Sequence, residues 1–287
     1  SKARLSLYQF SGWFFRWYNS PGNIQVLRSC ARISSLKSMK YFILISLLFL
    51  LNSEVLLSND NAYPIENSVR QMGIFQPYIY GMKNNFEIST HPLLFLIKPN
   101  VRLKKIHGEF RGVGLASRYS FDYPTQLLKL IQREGKFGIL SKDPDVGEIP
   151  HLIVFQGEWL MTKKLTILSL TGKLGMSICP TCELDKRHMV DLPLAYPRMA
   201  IYHYGIAANS GIDLDYNHTE KISIKTDLDF LFLPDEDIFF EHKLLCNYQF
   251  STQYTLSAGY KLTYGNYPYG EQWDIFPLID LSWQWEK

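Results

Sequence analysis

Cys179-Pro180-Thr181-Cys182 has the spacing of a thiol–disulfide redox pair. In such pairs the first cysteine gains its reactivity from a helix N-terminus or a nearby cation, which lowers the thiol pKa. Here a strand-like segment precedes the pair, and Glu183 and Asp185 follow it. Nearby carboxylates oppose thiolate formation, so the expected role of Cys179 and Cys182 is a disulfide that pins a loop. Adding His188 gives three metal donors, one short of an ordinary structural zinc site. Neither a metal nor a cofactor is therefore expected.

A second group of chemically capable residues recurs at alternate positions. Lys173, Asp213, Asp215, Lys225, Asp227, Asp229, Glu241, Lys243, Lys261 and Asp280 each lie on the polar side of an alternating segment, and His203 shares the phase of Asp213. Residues two apart project to the same face of an extended chain. Mixed charges on such a face either pair across strands or line a constriction that selects small solutes. No local serine–histidine signature accompanies them. His188, His203 and His242 are the histidines weighed for acid–base work, and no catalytic residue is assigned.

The elements that carry these charges read as strands. From Tyr254 the even positions are Tyr254, Leu256, Ala258, Tyr260, Leu262 and Tyr264, against Thr255, Ser257, Gly259, Lys261, Thr263 and Gly265. The same period recurs at 273–286, 238–250, 222–232 and 164–177. It also runs unbroken through 198–216, which reads as one long strand. Further strands are expected at 151–161, 109–120, 97–107 and 84–91, with 73–81 as either a strand or a lead-in. Tyr248, Tyr254, Tyr264, Trp273, Trp283 and Trp285 fall near strand ends, as aromatic girdles do at the two interfaces of a membrane barrel.

The N-terminal part reads differently. Met39-Lys40 starts a secretory-signal pattern, with an apolar run from Tyr41 to Leu51 that is too short for a membrane-spanning helix. Residues 39–62 are expected to be a signal peptide, 1–38 an upstream extension, 63–83 a lead-in and 84–287 the barrel. Seven basic and two acidic residues precede Tyr63, which leaves 23 basic and 25 acidic residues in the remainder. The basic pI of 8.5 thus belongs to the leader, and a nucleic-acid partner is excluded.

The fold class expected is all-β: a transmembrane, antiparallel, up-and-down β-barrel of about ten strands, with twelve as the alternative. If the last strand runs inward, the connections at 250–253, 217–220 and 162–164 are short periplasmic turns. Those at 121–150, 178–197, 234–237 and 265–271 are external. Splitting 198–216 into two strands would put the long loops on the wrong side. Tyr123-Pro124-Thr125, followed by Leu127, Leu128, Leu130 and Ile131, predicts a short helix on the outer rim.

Residues Gly73 to Gly81 (Gly-Ile-Phe-Gln-Pro-Tyr-Ile-Tyr-Gly), Glu87, Thr90-His91-Pro92-Leu93, Pro99-Asn100, Lys104, Ser117-Arg118-Tyr119 and Tyr123-Pro124-Thr125 resemble an uncharacterised group of bacterial outer-membrane β-barrel proteins. The resemblance implies an outer-membrane location and barrel architecture, and no activity. One departure is the C-terminus, Trp283-Gln284-Trp285-Glu286-Lys287, where the terminal aromatic residue of such barrels has moved inward. The expected partners are the lipid bilayer, the barrel assembly machinery and a small solute. The expected function is structural or solute-passing. A lipid or peptide hydrolase at the external mouth, or a ligand-binding protein using the long loops, is the alternative.

Overall fold

The structure is a computed structural model that describes residues 61–132, 148–182, 184, 199–234, 238–267 and 270–286. The upstream extension, the expected signal peptide from Met39 to Asp60, and Glu183, Asp185 and His188 lie outside these residues.

Twelve strands form a closed barrel in which each strand pairs antiparallel with its neighbours in the chain. They are β1 (Val69–Gly73), β2 (Tyr78–Met82), β3 (Phe86–Thr90), β4 (Asn100–Phe110), β5 (Val113–Asp122) and β6 (Val154–Lys164). The remainder are β7 (Leu168–Ile178), β8 (Ile206–Asn217), β9 (Ile222–Phe232), β10 (Ile238–Gln249), β11 (Tyr254–Tyr267) and β12 (Gly270–Glu286). Among the described residues, three short helices lie in the loops: α1 (Pro92–Phe95), α2 (Thr125–Ile131) and α3 (Ile201–Tyr204). No helix among the described residues is long and apolar enough to cross a membrane.

The ten strands expected from the sequence are all present, as β3–β12. The two beyond that number, β1 and β2, occupy the stretch read as a lead-in, so the barrel wall begins at Val69 rather than at residue 84. The expectation of one strand over 198–216 is corrected. Residues 201–204 form α3, which ends at Gly205 with φ of 77°, and β8 starts only at Ile206. The helix adds no wall strand, so strand parity is preserved.

Turn chemistry fixes the registers. Asn84 and Asn85, at φ of 64° and 63°, join β2 to β3, and Arg111 with Gly112, at 51° and 75°, join β4 to β5. The second is a two-residue hairpin loop with positive φ at both positions, and the first, Lys83–Asn85, is a three-residue loop ending on two such positions, a twist that matches the flanking strands. A bulge between Ile106 and Gly108 interrupts the β4–β5 ladder, and Gly108 has φ of 102°. Its missing Cβ permits the local kink.

Burial separates the two faces of the wall. On β12, Trp273, Ile275 and Ile279 are 62–67% exposed, whereas Asp280 is 3% exposed. The apolar face therefore points outward and the charged face inward, the reverse of a soluble protein's core. The aromatic residues form two girdles on the outside. Phe230, Phe240, Trp273 and Tyr264 stack in series at one end, with Tyr264 and Trp273 centroids 4.2 Å apart. Tyr248, Phe250, Tyr254 and Trp283 stand at the other end, where the Phe250 and Tyr254 rings stack at 5.8 Å. Tyr254 and Tyr264 are ten residues apart on β11. At about 3.4 Å per residue and a tilt of about 40°, that separation is roughly 26 Å along the barrel axis. It equals the apolar band of an outer-membrane barrel, about 25 Å. The protein is an integral outer-membrane barrel.

Loop lengths orient it. The turns 83–85, 111–112, 165–167, 218–221 and 250–253 all lie at the Tyr254 end. The connections at 91–99, 123–153 and 179–205 lie at the Trp273 end. Short turns face the periplasm in this class, so the Trp273 end is external. The barrel closes between β1 and β12, but only over Val69–Gly73 against Ser282–Glu286. Above that seam β12 continues for twelve residues with β11 as its ladder partner. Pro277 lies on this upper stretch, an edge position where a missing N–H is tolerated.

Candidate functional site

The inward face of β7–β11 concentrates the charges. Lys173 on β7 places Nζ 2.7 Å from each of Asp213 Oδ1, Asp227 Oδ1 and Asp229 Oδ1. Lys243 Nζ lies 2.6 Å from Asp227 Oδ2, and Lys261 Nζ lies 3.0 Å from Glu241 Oε2. Register explains the grouping. Asp213, Asp227, Lys243 and Lys261 are successive Cα partners across β8–β11, so they form one row around the wall. Asp213 and Asp227 face each other directly, a like-charge pairing that would be destabilising by itself. Lys173 bridges them. It reaches over β8 because its Cα partner is Gly211, whose missing side chain leaves the space for the lysine stem.

The opposite wall has its own network. Arg118 is ion-paired with Glu158, donating from Nε to Oε2 at 2.8 Å. Asn209 Nδ2 donates to Glu158 Oε1 at 2.9 Å. Lys104 is ion-paired with Glu87 at 2.9 Å. The segment Asn61–Glu66, ahead of β1, lies against this wall inside the barrel. Ala62 is buried with Ala116 and Leu160, and its N–H donates to Thr162 Oγ1 at 2.7 Å. Lys104 Nζ donates to the carbonyls of Asn61 and Tyr63, and Ile65 N–H donates to Glu87 Oε2. Tyr63 stands over Gly114 at the periplasmic rim, with Lys164 Nζ 3.5 Å from its ring centroid. Desolvation and the neighbouring Glu109 carboxylate raise the Tyr63 phenol above its ordinary pKa. The segment is an internal strap on the β4–β6 wall.

Between the strap and the charged wall lies a cavity of about 240 Å³. Asn61 and Gln71 line one side, and Asp215, Lys225, Asp227, Lys243, Asn247 and Ser257 line the other. These wall residues belong to the periplasmic halves of β8–β11. The cavity therefore sits just below the Lys173 cluster.

The remaining sequence candidates fall elsewhere. Asp280 faces inward, but its Oδ1 accepts the N–H of Phe75 at 2.9 Å, so it fastens the β1–β2 connection. His203 is corrected: it lies on α3 in an external loop, where Nδ1 bonds the Leu184 carbonyl at 2.8 Å, and it does not join the lumenal charges. Cys179 and Cys182 are disulfide-bonded in the same loop region, with Cα atoms 5.4 Å apart. Trp285 stands beside Tyr78 at the seam, their centroids 6.3 Å apart.

Two histidines on the lipid-facing side each meet a hydroxyl. His242 Nε2 is 2.9 Å from Thr226 Oγ1, and His107 Nε2 is 2.8 Å from Ser117 Oγ. The second contact has the geometry of a nucleophile and its base. Ser117 is only 1% exposed beneath His107, and His107 stacks on Trp159 at 5.4 Å. No acid or amide orients its other nitrogen among the described residues. Both contacts satisfy an imidazole in a nonpolar setting. Sequence reading missed the Ser117–His107 pair because the bulge at Gly108 shifts the β4 register beside it.

No family model matches the chain, and no curated protein matches it. Solved structures with a similar course of chain include a KdgM porin in complex with disordered oligogalacturonate, at 7% identity and a TM-score of 0.40, over 75% of this chain and 95% of that one. An outer membrane channel from Pseudomonas putida F1 matches at 7% identity and a TM-score of 0.42, over 80% and 99%. OmpT of Vibrio cholerae matches at 10% and 0.42, over 75% of this chain and 64% of that one. At these identities and scores no residue role can be carried across.

Proposed function

We propose that the protein is a narrow outer-membrane channel for small solutes, constricted by the Lys173–Asp213–Asp227–Asp229–Lys243 cluster. The observation that carries this reading is the cavity of about 240 Å³ inside the barrel, walled by polar and charged side chains and placed next to that cluster. A barrel of purely structural character would fill its interior with side chains. Here part of the interior is open polar space bounded by a strap. Charged rings with hydrated gaps select permeating solutes by sign and size.

The expected signal peptide remains part of this proposal, with its boundary moved. Ala62 is fully buried in the lumen and bonded to Thr162, so processing upstream of Asn61 fits the strap better than cleavage at Ala62. Mass spectrometry of the exported protein tests that boundary. The hydrolase alternative has no support in the described residues. The Ser117–His107 contact is buried and lies toward the periplasmic turn, far from the external mouth where that reading places a site.

Planar-bilayer recording on the refolded, purified barrel tests the proposal. Discrete conductance steps that change size in Asp229→Asn support it. A folded barrel that shows no conductance and does not swell liposomes in small-sugar solutions overturns it.

A further inference from the structure

We infer that the lumenal cavity is a binding site for a small zwitterionic solute, held between Asp215 and Lys225. This rests on the solute-passage reading and gives it a substrate class. Asp215 on β8 and Lys225 on β9 are direct Cα partners, and both line the cavity. An opposed carboxylate and ammonium on one face of a sheet ordinarily close on each other. These two do not: among the described residues neither makes an ion pair or a side-chain hydrogen bond. Lys173, Lys243 and Lys261 on the same wall are all ion-paired. The cavity thus holds one uncommitted anion and one uncommitted cation side by side.

An α-amino acid presents the complementary pair on a single carbon. Its ammonium donates to Asp215 and its carboxylate accepts from Lys225, both as charge-assisted bonds. Ser169, the Cα partner of Asp215 on β7, has a buried hydroxyl without a hydrogen-bond partner. It flanks Asp215 in the ladder but lies outside the cavity lining, where Ser223 on β9 supplies the further hydroxyl. Size sets the limit. Ordinary small-molecule sites span roughly 300–1,000 Å³, so a cavity of about 240 Å³ suits a single small amino acid and excludes an oligomer.

The probe is L-alanine, observed by saturation-transfer NMR on the refolded barrel in detergent micelles. Propionate, which lacks the ammonium, and ethylamine, which lacks the carboxylate, are the controls. L-alanine is expected to bind at least tenfold more tightly than either control. Asp215→Asn and Lys225→Met should each weaken it about tenfold. The charge-swapped double variant, Asp215→Lys with Lys225→Asp, should recover most of the affinity, since both charges are restored. Heat-modifiable gel migration verifies that each variant is folded, with Lys225→Gln replacing any Lys225→Met that is not. Equal binding of alanine and propionate, or unchanged alanine binding in the folded single variants, overturns the inference. Conductance recorded on the same preparation separates the two claims. Conductance without alanine binding removes this site alone, whereas a silent barrel that binds alanine removes the passage reading alone.

Discussion

Lys173 reaches Asp229 by crossing Gly211, the residue directly between them in the β7–β8–β9 ladder. A Cβ at position 211 would stand 2.7 Å from Lys173 Cε and still closer to Asp229. Gly211→Val should therefore displace the lysine, and overpacking of this kind costs about 1–3 kcal/mol. Urea unfolding in lipid vesicles, followed by tryptophan fluorescence, reads that loss. A variant as stable as the parent would show that the lysine has another route.

Lys173→Met should act on both stability and selectivity. Removing one partner of a buried ion pair typically costs about 3–5 kcal/mol, because the remaining charges lose their compensation. Three carboxylates at 2.7 Å depend on this ammonium. The extra negative charge should also favour cations, shifting the reversal potential in a KCl gradient toward that of potassium. A shift toward chloride would contradict the assignment of this cluster as the constriction.

The strap offers a gain-of-passage test. Lys104 holds it through two carbonyls and pairs with Glu87. Hydrogen bonds to a charged group contribute about 1.5–3 kcal/mol. Lys104→Met should loosen Asn61–Glu66 and raise single-channel conductance. Unchanged conductance would mean that the strap does not limit the passage.

Ile279 lies opposite Ala258, halfway between the two aromatic girdles, and faces outward. Ile279→Arg should destabilise the barrel by about 2–4 kcal/mol, the cost of an arginine at the bilayer midplane. Trp273→Arg, at the external interface, should cost about 0–1 kcal/mol. Equal costs at the two positions, read by vesicle unfolding, would contradict the membrane placement.

The sequence disclosed the wall better than its contents. From residue 164 onward hydrocarbon and water impose opposite demands on alternate side chains, so the phase of β7–β12 was readable. β1 and β2 have five residues each, so 73–81 could be read as either strand or lead-in and Val69–Met72 went unread. Their turn signal, Asn84-Asn85, lies after them. The 198–216 stretch misled because Ala200, Tyr202 and Tyr204 happen to extend the phase of β8 through a helical turn. Inward charges could be assigned from phase, but their partners could not. The pairing of Lys173 with Asp229 depends on the bare backbone of Gly211, on the one strand between them. The strap has no periodicity, so nothing in Asn61–Glu66 announces that it lies indoors.

The β1–β12 seam has a consequence for how the protein is made. Every other join in the wall is between strands consecutive in the chain, whereas Phe75 and Asp280, bonded beside the seam, are 205 residues apart. Ring closure between such distant segments carries the largest entropic cost in the molecule and favours late formation. Until five rungs zip together, the chain is an open ribbon with two unsatisfied margins in an oily solvent. Both margins are satisfied only once the last rungs form, so the final join is the step that seals the wall against lipid.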